Sequence, residues 1–109
     1  MPNSDRARLA SVAAAAALRV PGVVAMDAGP ARRHATTSGA VEVAGVSVVA
    51  ESGGRYSVEL GLCAQLVPLE ALADAVSDQV AAAAASAGLG DRLGTTSVTF
   101  HDLLDEGAR

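Results

Sequence analysis

From Tyr56 to Leu66 the chain alternates without a break. Tyr56, Val58, Leu60, Leu62, Ala64 and Leu66 are apolar, and Ser57, Glu59, Gly61, Cys63 and Gln65 fall between them. Successive side chains of a strand point to opposite faces, so this segment is a strand with one apolar face and one polar face. Such a strand belongs to a sheet covered on one side only, with helices on that side and an open polar face on the other.

Two segments supply the covering helices. Ser4 or Asp5 can cap a helix in which Leu9, Val12, Ala13, Ala16 and Val20 recur at steps of three and four, and Pro21 and Gly22 end it. Pro68 suits the first turn of a second helix, whose apolar stripe is Leu69, Leu72, Ala73, Val76, Val80, Ala83 and Ala84 and whose stop is Gly88. Val23 to Met26 reads as a short strand. Val41 and Val43 alternate in one phase and Val46, Val48 and Ala50 in the other, which predicts a bulge or break at Ala44 and Gly45. Ser52, Gly53 and Gly54 then turn the chain back into the alternating strand as a hairpin. Leu89 to Gly94 reads as a connector, and Thr96, Val98 and Phe100 mark a closing strand. Residues 27–40 mix breakers with small polar residues and read as a mobile surface loop; residues 103–109 read as a frayed tail. The expectation is an α+β domain: two helices packed on one face of a small, mostly antiparallel, three- to four-stranded sheet, in the order α-β-β-β-α-β.

At 109 residues the chain fits one domain, residues 1–109, and area scaling lets about 65% of its surface be buried. The single cysteine, Cys63, excludes an internal disulfide and a thiolate metal cage. Net charge is −4, every cationic side chain is arginine, and the chain holds one Tyr, one Phe and no Trp. Phosphate contacts and base-stacking platforms are both scarce in such a surface, so nucleic acid is not an expected partner. The uncharged run from Leu9 to Leu18 is mostly alanine and too short to span a bilayer, so no direct membrane insertion is expected.

Few residues suggest chemistry. Glu70, Asp74 and Asp78 stand four apart on the second helix and form a carboxylate stripe suited to a basic partner. Side chains of one helix cannot surround a metal ion, and no histidine joins the stripe. Arg32, Arg33 and His34 are a basic cluster that could hold an anion, but no helix N-terminus or glycine-rich cradle accompanies them. Cys63 lies on the polar phase of its strand with no local group to activate it. His101 and Asp102 are adjacent, and adjacent strand residues point to opposite faces, so they are not expected to form a dyad. Dinucleotide, phosphate-loop, zinc-protease and serine-hydrolase signatures do not occur. No catalytic residue, cofactor or metal site is expected.

The run from Leu9 to Val23, closing on Val20-Pro21-Gly22-Val23, resembles the start of the alkaline shock protein family, also called the envelope stress response family. Gly45-Val46-Ser47-Val48, Tyr56-Ser57-Val58-Glu59-Leu60, Val67-Pro68-Leu69, Gln79-Val80, Ala87-Gly88-Leu89 and Ser97-Val98-Thr99-Phe100 resemble its later motifs. The likeness spans residues 7 to 102. Leu62-Cys63-Ala64 replaces the family's usual tyrosine-glycine, Thr99 replaces an asparagine, and Gly90 to Gly94 resembles an insertion. The resemblance implies a bacterial, cytoplasmic, non-enzymatic interaction protein of the envelope stress response. It implies pairing with itself or with related family subunits as an oligomer, and recruitment to the membrane through a membrane-anchored partner. The docking surfaces expected on this chain are the stripe Glu70, Asp74 and Asp78 and the polar sheet face around Glu59 and Gln65. Two other functions suit the same architecture: a KH-like RNA-binding domain, although no G-x-x-G clamp in a basic setting occurs here, and a small ligand-sensing accessory domain.

Overall fold

The computed structural model describes residues 5–27, 29, 35–38 and 41–104. Helix α1, Asp5–Leu18, buries Leu9, Ala10, Ala13, Ala16 and Ala17. Helix α2, Leu69–Ser86, buries Leu72, Val76, Val80 and Ala84, in the phase expected from its spacing. Beyond α2, the Gly88 N–H donates to the Ala85 carbonyl and the Leu89 N–H to the Ala84 carbonyl, with Gly88 at φ 77°. This left-handed cap needs glycine at Gly88, and it turns Leu89 back into the core, where it is buried.

The sheet is built round β5, Tyr56–Gln65. Val58, Leu60, Leu62 and Ala64 are fully buried beneath the helices, as the alternation requires. The long strand β6, Leu93–Leu104, runs parallel to β5 along one edge. A parallel neighbour needs a crossover, and α2 is that crossover. The other edge of β5 is shared end to end by two antiparallel strands. There β4, Val46–Ala50, pairs with Tyr56 to Leu60, and β1, Val23–Met26, pairs with Leu62 to Ala64. The two helices and this mixed four-stranded sheet form an α+β fold.

Between β1 and β4 the chain leaves the sheet and returns. Both arms of the excursion are held at Gly61 of β5. The Asp27 N–H donates to the Gly61 carbonyl at 2.8 Å, and the Gly61 N–H donates to the Gly45 carbonyl at 2.8 Å. In an unbroken antiparallel strand a single residue would make both bonds. The expected break at Ala44 and Gly45 is therefore the return arm of this splice.

Several boundaries differ from expectation. Within the segment read as a loop, Ala35–Ser38 forms a strand, β2, antiparallel to β3, Val41–Ala44, in a separate two-stranded sheet. The element order thus gains two strands over the expected α-β-β-β-α-β, β2 itself and the division of the strand expected over residues 41–50 into β3 and β4. The connector shortens to a 3-10 turn at Gly90–Arg92, and β6 begins at Leu93 and runs on through Leu104, into the segment read as a tail. Parallel pairing along the full length of β5 sets these ends. The remainder of the expected tail, and the loop residues 28, 30–34, 39 and 40, lie outside the described residues.

Candidate functional site

Among the described residues, the open face of the sheet brings Asp27, Cys63, His101 and Asp102 to one region. β6 pairs Leu62 with Phe100 and then Cys63 with Asp102, so His101 is an extra residue in the ladder. This bulge overturns the expectation that His101 and Asp102 point to opposite faces. Asp102 sits beside Cys63, on the face opposite the helices, and the His101 ring lies against Gly61 on the same side. A Cβ at Gly61 would come within 2.8 Å of that ring and would also strike the Asp27 carbonyl. Gly29 also approaches the ring, and a Cβ there would stand 2.6 Å from it. Asp27 holds this turn by accepting a hydrogen bond on Oδ1 from the Gly29 N–H at 2.8 Å.

The chemistry of the cluster is restrained. Cys63 is a free, half-buried thiol. Its pKa is raised, first by partial burial and then by the negative charges of Asp102 and Asp27, so neutral pH leaves it protonated and weakly nucleophilic. Among the described residues, no three His, Cys, Asp or Glu side chains stand together in a way that could hold a metal ion.

The expected docking residues fall on two different elements, α2 and β5. Glu70, Asp74 and Asp78 are all exposed on α2, whose buried stripe faces the sheet. Glu59 is exposed and Gln65 half-buried on β5. Gln65 also lines a groove of about 360 Å³ between the Pro21-Gly22 turn and the start of α2, together with Val67, Pro68, Ala71 and Ala75. Glu70 and Asp74 each stand one residue before Ala71 and Ala75, about 100° round the helix, so carboxylates flank an apolar groove. Helix periodicity shows the stripe in advance; the groove beside it depends on where the Pro21 turn lands and has no local signal. Arg32, Arg33 and His34 lie outside the described residues. No helix among the described residues is long and apolar enough to cross a membrane.

No family model matches the chain, and no curated protein matches it. Among solved structures it is similar to the MamM CTD in its copper form, at 15% sequence identity and a TM-score of 0.60, over 98% of this chain and 94% of that one. At that identity the likeness is one of fold, and it agrees with the two helices on a mixed sheet.

Proposed function

We propose that this chain is a non-enzymatic interaction module of the envelope stress response type, which works as an oligomer and reaches the membrane by docking on a basic cytoplasmic segment of a membrane-anchored partner. The observation that carries the reading is the exposed stripe Glu70, Asp74 and Asp78, of which Glu70 and Asp74 flank the apolar groove at Val67, Pro68, Ala71 and Ala75. A groove of this kind takes the apolar side chains of a short segment while the carboxylates select its arginines or lysines and steer its approach. The net charge of −4 disfavours direct adsorption to anionic lipid. The protonated Cys63 thiol supports a non-catalytic reading of the open face. Copper is not carried over from the MamM domain, because the described residues offer no set of ligands for it.

Flotation tests the proposal. The purified chain is expected to stay at the bottom of a gradient with protein-free anionic liposomes and to rise with vesicles of the source cell's own membranes. Protease treatment of those vesicles should abolish the effect, and so should the combined substitutions Glu70→Gln, Asp74→Asn and Asp78→Asn. Equal flotation with protein-free liposomes would refute it. So would tight binding of single-stranded RNA that weakens steeply with salt, which belongs to the KH-like alternative.

A further inference from the structure

We propose that β6 joins two copies of this chain, edge to edge and antiparallel, into one continuous sheet centred on Val98. The inference rests on the reading of the chain as an interaction module and names the surface for self-association. Among the described residues β6 pairs with β5 alone, so no described strand covers its outer edge, which is open to pairing. The two edges of the sheet are treated differently. On the far side, the edge is cut into two short strands by the excursion, and Arg6 Nε donates to the Val48 carbonyl of β4 at 2.9 Å. On the β6 side, the stretch from Leu93 to Phe100 contains no proline and no charged residue, the usual guards of an exposed edge.

A second observation points to what covers that edge. The helix-facing residues Val58, Leu60 and Leu62 of β5 are fully buried, whereas their partners Thr96, Val98 and Phe100 on β6 are only half-buried, and Leu103 is 39% exposed. The core is thus left open on the β6 side, and a two-fold copy would close it. The ladder with β5 is regular from Thr96 to Phe100, between register shifts on either side, and this straight stretch sets the pairing. Centred on Val98, Thr96 faces Phe100 of the second copy, Val98 faces its own counterpart, and Ser97 faces Thr99. These are aromatic with β-branched, β-branched with β-branched, and hydroxyl with hydroxyl, all favourable cross-strand pairs with no like charges opposed. Both copies then keep their helices on the same face.

So short a pairing makes a weak, concentration-dependent dimer. Sedimentation velocity of the whole chain over a concentration series is expected to show the mass doubling. Ser97→Lys with Thr99→Lys opposes ammonium groups across the edge and should raise the dissociation constant by about tenfold or more, whereas Ser97→Lys with Thr99→Glu opposes unlike charges and should retain the dimer. Ser97 and Thr99 are both exposed, so neither pair disturbs the core, and circular dichroism checks that the fold is kept. In a Cys63→Ser background, a mixture of Ser97→Cys and Thr99→Cys chains should oxidise to a cross-linked dimer faster than either alone, since only the mixed pair is directly opposed. A chain that is monomeric throughout, or a dimer indifferent to the charge pattern and the cysteine positions, overturns the inference. A monomer that still floats with native membranes removes the edge pairing and leaves the recruitment reading standing; a dimer that never floats does the reverse.

Discussion

Gly61→Ala should be among the most damaging small substitutions in this chain, although it adds one methyl group to a residue without positive φ. The new Cβ meets the Asp27 carbonyl and the His101 ring. The ring can rotate away; the carbonyl belongs to backbone that is itself bonded to Gly61. Moving it stretches the bond from the Asp27 N–H to the Gly61 carbonyl and disturbs the one from the Gly61 N–H to the Gly45 carbonyl, both 2.8 Å. Two backbone bonds contribute about 1–3 kcal/mol net, and residual overpacking costs about 1–3 kcal/mol. Reduced freedom of the unfolded chain returns about 0.4–1 kcal/mol. The net loss is about 1–6 kcal/mol, with a midpoint of about 3 kcal/mol that at roughly 4 °C per kcal/mol lowers Tm by about 12 °C. Gly53→Ala is the control: Gly53 has φ 81° but nothing within 4 Å of a Cβ, so only conformational strain of about 1–2 kcal/mol applies. Thermal melts followed by circular dichroism decide the matter. A Gly61→Ala variant as stable as wild type would refute the account of the splice.

Val76 is fully buried on α2, so Val76→Asp should cost on the order of 4 kcal/mol or more and leave the chain unfolded or aggregated, whereas Asp74→Asn on the exposed face should stay within about 0.5 kcal/mol in the same melts. Arg92→Ala removes an ion pair to Asp5 at 3.2 Å and a hydrogen bond from Arg92 to the Gly54 carbonyl at 3.0 Å; the group is half exposed, and chemical denaturation should register less than about 1 kcal/mol. Alkylation of Cys63 by iodoacetamide should be slower than that of a free thiol at neutral pH and should accelerate in Asp102→Asn. A raised thiol pKa means the folded state keeps its proton where the unfolded state loses it. Stability from this group therefore falls as pH climbs above the ordinary thiol value, an effect Cys63→Ser should abolish.

The one-sided sheet and both helix phases are legible in the sequence because Leu60, Leu62, Val76 and Val80 are large, apolar and placed at a clear period. Ala10 and Ala17 are buried without announcing it, since alanine suits a core and a surface equally. Thr36 and Thr37 of β2 lie in a run of small residues between breakers, and their strand exists only through pairing with Val43 and Glu42. Gly94 carries weak strand preference and interrupts the alternation, so the early start of β6 at Leu93 follows from pairing with its neighbour β5. The exposed stripe Glu70, Asp74 and Asp78 follows from helix spacing. The meeting of Asp27, Cys63, His101 and Asp102 does not, because it depends on a bulge and on a splice that joins distant parts of the chain.

The splice at Gly61 leaves β2 and β3 outside the four-stranded sheet, paired among the described residues only with each other. A Cβ at Gly45 would come within 2.7 Å of the Met26 Cβ and 3.0 Å of the Asp27 nitrogen, so the excursion departs and returns through almost the same point. The register of β1 and β4 on β5 is consequently insensitive to how long the intervening chain is, since closing a longer loop between fixed ends costs only slowly more. One residue opposite Gly61 would suffice to rejoin Met26 to Val46 as an unbroken edge strand. The position is a natural graft point, where a lineage or an engineer can lengthen or replace the excursion while the registers of β1 and β4 stay fixed, provided the packing of Val43 against the core is kept.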